Sequence, residues 1–116
     1  MRNSITGIDE INSFLIEFKS RLDYDFKFEP RTYNGITQLG LDLELAKDEL
    51  KSLTYRDFDR GPTPDYNGDG TDIWEFGKEI EDTLTYIKVK LTDRRQCKIL
   101  SFKPSNGPFT RPYKNS

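Results

Sequence analysis

The chain has 116 residues and a formal net charge of −2, enough for one domain with a hydrophobic core and too short for two. Charged residues make up 33% of it, but 13% are aromatic, which excludes an intrinsically disordered chain. Histidine is absent, which excludes imidazole catalysis and histidine-ligated zinc, and the single cysteine, Cys97, excludes an internal disulfide.

A helix and a short strand are predicted at the start of the chain. Over residues 7–22, apolar residues recur at the spacing of one helix face, and two acidic residues occupy the first turn. Residues 25–29 then alternate between polar and aromatic and stop at Pro30, which is typical of a short edge strand.

The next part of the chain predicts a second helix between loops. We expect residues 31–39 to form a loop with one helical turn from Asn34, stopped by Gly40. A helix is predicted over about residues 43–53. Thr54 then begins a capping-box pattern for one more turn. The second helix should be capped by Asp42 and buried through Leu45, Ala46, Leu50 and Leu53.

Residues 61–72 are rich in Gly, Pro, Asn and Asp and predict a long loop. Within it, Asp65, Asn67, Asp69 and Gly70 match the first half of an EF-hand calcium loop. The second half fails, because position twelve is Phe76 where a bidentate Glu is required. We therefore expect no metal or other cofactor.

Three aromatic and β-branched runs predict an antiparallel meander over residues 73–103. The middle run alternates, so Thr85, Ile87, Val89 and Leu91 should be buried. Tyr86, Lys88 and Lys90 then share the opposite, solvated face, which also suits a phosphate-bearing ligand. By contrast, Trp74 and Phe76 are interpreted as core residues. The expected fold is α+β, one domain with N-terminal helices packed on a C-terminal antiparallel sheet, followed by an irregular tail over residues 104–116.

Charge is distributed unevenly along the chain. Residues 84–116 contain eight basic residues and one acidic residue, a net charge of +7. Residues 1–83 contain ten basic and nineteen acidic residues, a net charge of −9. The basic end is suited to an anionic partner, unless the two parts neutralise each other within the fold or in a dimer.

Six short motifs, in order and in register, resemble the MqsR-like toxins of bacterial toxin–antitoxin systems. They read Gln-Leu-Gly-Leu-Asp at 38–42, Leu-Thr-Tyr-Arg-Asp-Phe at 53–58, Gly-Pro-Thr-Pro-Asp at 61–65, Asp-Ile-Trp-Glu-Phe-Gly-Lys-Glu at 72–79, Tyr-Ile-Lys-Val-Lys at 86–90 and Ser-Phe-Lys at 101–103. The resemblance implies a RelE-like fold and a metal-independent endoribonuclease that cleaves single-stranded mRNA. It also implies a cognate protein antitoxin that silences the enzyme.

The resemblance places the catalytic residues at Arg60, Glu75, Lys78, Tyr86, Lys88 and Lys103. Two of them differ from the family's pattern, since Lys103 stands where many relatives have histidine and Glu75 replaces an amide. In such a site, Tyr86 beside lysines would have a lowered pKa and act as acid or base. Arg60, Lys78 and Lys103 would hold the phosphate. Further RNA contacts are expected from Lys90, Arg94, Arg95, Lys98 and Arg111.

The nuclease prediction requires Arg60, Lys78, Tyr86, Lys88 and Lys103 to surround one shallow cationic hollow. The structural alternatives are that Tyr86 only covers the sheet edge and that Arg60 only pairs with Asp57 or Asp59. The functional alternative is a non-catalytic binding module, a degenerate family member or a phage or host inhibitor, whose basic end holds a protein or nucleic acid. We expect a cytoplasmic protein without a signal peptide or a membrane partner, and the sequence leaves its oligomeric state open.

Overall fold

The computed structural model describes residues 5–116. One short strand lies between the first two helices, and the other four strands follow the last helix. The elements are helix α1 (Ile8–Arg21), strand β1 (Phe26–Phe28), helices α2 (Thr32–Gln38) and α3 (Leu43–Lys51), a 3₁₀ turn (Tyr55–Asp57), and strands β2 (Phe58–Pro64), β3 (Asp72–Ile80), β4 (Thr83–Leu91) and β5 (Cys97–Pro104). The predicted α+β class and the capped turn after Thr54 are confirmed.

The five strands form one sheet in the order β1-β5-β4-β3-β2. Strands β2, β3, β4 and β5 pair with one another in antiparallel fashion, whereas β1 pairs with the other edge of β5 in parallel. Glu81 and Asp82 form the two-residue turn between β3 and β4, both with positive φ, as a tight hairpin requires. The predicted meander is therefore β3, β4 and β5, and the predicted edge strand is β1.

Aromatic rings join α1 to one face of the sheet. The ring of Phe14 stacks on Trp74 with centroids 4.6 Å apart, and Phe76 lies 6.4 Å from Phe14. Phe18 follows one turn later on the same helix face and is fully buried. Trp74 and Phe76 are thus core residues, as predicted. The predicted buried face of β4 is also confirmed, because Thr85, Ile87, Val89 and Leu91 are all buried.

Three local predictions need correction. Residues 32–38 form a full helix, because the missing side chain of Gly35 lets α2 lie directly on the backbone of Phe102 and Lys103. The long loop covers only residues 65–71. Its predicted first part belongs to β2, an edge strand, where the prolines need not donate to a further strand.

The buried face of α3 was also predicted one residue too wide. Asp42 caps the helix by accepting the N–H of Leu45 at 2.8 Å, as expected. Ala46, Leu50 and Leu53 are fully buried, but Leu45 is 48% exposed. One residue of a helix turns the side chain by about 100°, which carries Leu45 from the core stripe to its solvent edge.

Cys97 lies in the core, where its thiol donates to the carbonyl of Phe18 at 3.1 Å. Burial raises the pKa of this thiol to about 12, so it stays protonated and unreactive.

No helix within residues 5–116 is both long and apolar enough to cross a bilayer.

Leu45 and Leu50 of α3 provide a matched test of this packing. Leu50→Ala should lower the free energy of unfolding by about 2–5 kcal/mol, because it leaves a cavity in the core. Leu45→Ala should change it by less than about 0.5 kcal/mol, because the side chain is exposed and Ala favours the helix. Urea unfolding followed by circular dichroism measures both. Equal losses would contradict the assigned helix face.

Candidate functional site

The sheet face opposite α1, here called the open face, displays two cross-strand rows of polar residues. Directly paired residues on neighbouring antiparallel strands point to the same side of a sheet. The first row joins Arg60, Glu75 and Lys88. The second row joins Tyr86 to Lys103. These five residues are called the Glu75 cluster.

A carboxylate stands at the centre of this cluster. The hydroxyl of Tyr86 donates to one oxygen of Glu75 at 2.7 Å, and the Nε of Arg60 lies 3.6 Å from the other. The Glu75 side chain is only 13% exposed, whereas that of Arg60 is 71% exposed. The carboxylate is therefore oriented by the Tyr86 hydrogen bond and the Arg60 ion pair, while the arginine remains accessible to a ligand. Arg60 lies beside Glu75, and neither Asp57 nor Asp59 lies within ion-pair distance of it in the described structure.

Tyr86 is a neutral hydrogen-bond donor, and the prediction of a lowered pKa is wrong. Burial of the phenol and the adjacent Glu75 carboxylate both raise the pKa of Tyr86. The positive charge of Arg60 opposes this shift but is the weaker influence. Tyr86 therefore stays protonated at neutral pH, and Glu75 is the proton acceptor that the cluster offers.

Phe109 completes the cluster and was missed by the sequence analysis. Its ring stacks on Tyr86 with centroids 6.0 Å apart, and it lies against Gly77, where any side chain would collide with it. Asp59 fixes the tail by accepting the backbone N–H groups of Thr110 and Arg111 at 2.7 and 3.0 Å. Lys103 also approaches Tyr86, with its Nζ 5.9 Å from the ring centroid. No periodic signal in the irregular tail indicated this contact.

Lys78 does not join the cluster, so four of the five residues expected around one hollow lie on the open face with Glu75. The Nζ of Lys78 lies 2.6 Å from the hydroxyl of Ser52 and 2.8 Å from Glu49 of α3. Lys78 is three positions after Glu75 on β3. Because side chains alternate along a strand, an odd spacing places the two side chains on opposite faces of the sheet. Lys78 thus connects β3 to the helices on the covered face.

Most other basic residues expected to bind RNA are paired with acidic residues. Arg95 pairs with Glu17, and Lys98 and Arg111 lie 3.8 and 3.7 Å from Glu29 and Glu79. Arg94 is exposed and has no ion pair within residues 5–116. Neutralisation within the fold, considered as an alternative above, therefore accounts for much of the charge asymmetry.

Lys90 is buried, and the prediction that it lies on a solvated face is wrong. It is 2% exposed, and its Nζ lies 2.7 Å from Asp65 and 3.0 Å from Asp69. Burial alone lowers the pKa of Lys90, but the two carboxylates outweigh it and raise the pKa. The carboxylates that resembled calcium ligands thus bind an ammonium group. Within residues 5–116, no three acidic or cysteine side chains gather as metal ligands would.

Sequence comparisons do not assign the chain to a family. No protein-family model matches it, and no curated protein matches it. What the site can do therefore follows from its own geometry. That geometry is an oriented carboxylate on an open sheet face, with a phenol and three cationic side chains around it.

The Lys90 ion pairs predict a distinct pH dependence of stability. The bond to Lys90 lowers the pKa of Asp65, and bonds to Thr71 and then Lys90 lower that of Asp69. Lowered folded-state pKa values stabilise the fold above the unfolded pKa of about 3.9, and this stabilisation is lost as the pH falls below it. Lys90→Met should therefore destabilise the protein most between about pH 5 and 9, and the difference from wild type should shrink below about pH 4.

Urea unfolding between pH 3 and 9 measures this difference. Lys51→Met is the matched control, because Lys51 forms a more exposed pair with Asp23, with the Lys51 side chain 39% exposed. Exposed pairs contribute little to stability because water screens them, so the control should be nearly neutral. A destabilisation by Lys90→Met that is constant across the pH range would contradict the ion-pair account.

Proposed function

We propose that the protein is a metal-independent endoribonuclease that cleaves single-stranded RNA at the Glu75 cluster. The observation that carries this proposal is the Glu75 carboxylate, held by Tyr86 and Arg60 on the open face. Without histidine, a carboxylate is the side chain best suited to accept a proton near neutral pH.

In the proposed reaction, Glu75 takes the proton from the ribose 2′-hydroxyl, and the 2′-oxygen forms a bond to phosphorus. The bond from phosphorus to the 5′-oxygen of the next nucleotide breaks. The Lys103 ammonium gives a proton to that leaving oxygen. The products are a 2′,3′-cyclic phosphate and a 5′-hydroxyl end. Each proton transfer of this kind contributes about 10²–10⁴-fold to the rate.

Arg60 and Lys88 are the groups that stabilise negative charge in this reaction. They flank Glu75 in one cross-strand row, so a phosphate above the carboxylate lies between two cations. Fixed cations at developing charge often contribute more than proton transfer does. Tyr86 orients Glu75 and keeps its proton, so the base of the reaction is the carboxylate.

The resemblance to MqsR-like toxins gives this activity a biological role. Under the proposal, the chain is a cytoplasmic mRNA interferase that a cognate antitoxin neutralises. Four of the residues that the resemblance places in the site come from separate parts of the sequence and are neighbours across the sheet. They are Arg60, Glu75, Tyr86 and Lys103. That proximity supports reading the motifs as one site.

The cleavage assay uses purified protein, a labelled single-stranded RNA and excess EDTA. We expect fragments with cyclic phosphate ends. Glu75→Gln keeps the shape of the side chain but removes the base, so it should lower the cleavage rate by about 10²–10⁴-fold. Lys88→Ala and Lys103→Ala should also lower it strongly, and Tyr86→Phe should lower it less.

Lys78→Ala is the discriminating variant, because the resemblance places it in the catalytic set and the geometry does not. It should retain wild-type cleavage, as should the exposed control Lys51→Ala. RNA that stays intact at high protein concentration would contradict the nuclease proposal. RNA that is bound but not cut would favour the non-catalytic binding module.

The toxin role predicts that expression arrests bacterial growth. Induction of the wild-type chain should stop growth, and Glu75→Gln at equal protein level should not. Co-expression of the small reading frame next to its gene should restore growth to the wild-type strain. Equal arrest by both chains would contradict a role for catalysis.

A further inference from the structure

A cavity of about 380 Å³ lies beside the Glu75 cluster on the open face. Lys88 belongs to both the cluster and the cavity lining. The base of the cavity is the next cross-strand row of the sheet, in which Lys90 lies between Ile73 and Lys98. Two residues along a strand span about 6.6 Å. The cavity is therefore about one nucleotide step from Glu75 in an extended single strand.

The Lys90 ion pairs hold one wall of this cavity. They bind the loop of residues 65–71 to β4, and Asp69 also accepts the backbone N–H of Asp93 at 3.1 Å. The wall presents Asn67 and Gly68 to the cavity. The Glu75 cluster does not require a buried Lys90. The ion pairs of Lys90 instead hold the loop in place and thereby form one wall of the cavity on the open face.

The lining is mainly polar, and its small apolar part comes from Ile73 and Leu100, which are 9% and 5% exposed. Ile73 and Leu100 are apolar, and Asn67 offers an amide that both donates and accepts hydrogen bonds. Such a surface suits the flat ring and polar edge of a nucleobase. A purely apolar ligand would leave the charged rim unpaired, and a bare phosphate would leave the apolar surface uncovered.

The lining also contains three carboxylates, each beside a lysine: Asp65 and Asp69 pair with Lys90, and Glu29 lies 3.8 Å from both Lys27 and Lys98.

Two further cations at the rim, Arg31 and Lys88, suit a phosphate. The Nε of Arg31 donates to the carbonyl of Leu100 at 2.6 Å, which fixes the guanidinium beside the cavity. Neither Arg31 nor Lys88 has a carboxylate within 4 Å in the part of the chain that the structure describes. A planar guanidinium with free terminal nitrogens binds phosphate through two parallel hydrogen bonds.

We infer that this cavity binds the nucleotide next to the cleaved bond, with its base against Ile73 and Leu100 and its phosphate on Arg31 and Lys88. The inference rests on the proposed nuclease function and adds a second subsite to it. Asn67 then contacts the base edge and gives the cleavage a base preference at this position.

The binding test uses four uncleavable 2′-O-methyl tetranucleotides, one for each base, titrated by calorimetry. Wild type should bind one base at least about 10-fold more tightly than the weakest. Arg31→Ala should weaken binding of all four by about 10-fold, because it removes a phosphate contact. Asn67→Ala should reduce the preference among bases, and Lys51→Ala should bind like wild type.

Amide chemical shifts in ¹⁵N-labelled protein locate the bound RNA. The shifts of Gly68 and Leu100 should change on titration, and those of α3 should not. Thermal unfolding checks that each variant is folded, and Asn67, on an exposed loop, provides a variant that leaves the Leu100 contact intact. Unchanged affinity and base preference in both variants would overturn the inference.

The two proposals fail separately. If the tetranucleotides bind with the expected variant effects but RNA is never cut, the nucleotide site stands and the nuclease falls. If RNA is cut while both variants keep the wild-type KM and base preference, the nuclease stands and the nucleotide site falls.

Discussion

Burial of one face of the sheet under α1 is the constraint on which the rest of the structure depends. Phe14 on α1 stacks against Trp74, which places that face of β3 in the core. Because side chains alternate along a strand, Glu75 must then point to the opposite face. The same alternation along β4 buries Ile87 and turns Tyr86 and Lys88 toward Glu75. The hydrophobic core thus aligns the polar cluster without contacting it.

Ion pairs decide how much of the basic C-terminal part remains available to a ligand. The buried Lys90 is used entirely within the fold, and several surface cations lie close to carboxylates of the acidic first part. Exposed pairs of this kind contribute little to stability, but they reduce the field that an RNA chain meets. The cations of the Glu75 cluster, Arg60, Lys88 and Lys103, lie around Glu75 and Tyr86, so positive charge is concentrated where the proposed reaction needs it.

Sequence periodicity was sufficient for β1, β3, β4 and β5 and for the buried face of β4, but it missed β2, part of which was predicted to be a loop. The same alternation could have excluded Lys78 from the site, because the odd spacing between Lys78 and Glu75 already implies opposite faces of the sheet. Other features could not be predicted, because they depend on contacts between distant segments. Lys90 is buried only because a loop more than 20 residues earlier folds over it. Phe109 covers Tyr86 although nothing in the local sequence of the tail marks it as a site residue.

The position of β5 between β1 and β4 affects when the sheet can assemble during synthesis. Strand β1 has a single neighbour in the sheet, and that neighbour comes about 70 residues later in the chain. Pairings so distant in sequence form only after the intervening chain has closed into a loop. Strand β1 therefore stays without its sheet neighbour until β5, which also carries Lys103, has left the ribosome. Until then the Glu75 cluster has no contribution from β5, so the cluster and the parallel edge of the sheet are completed in the same step.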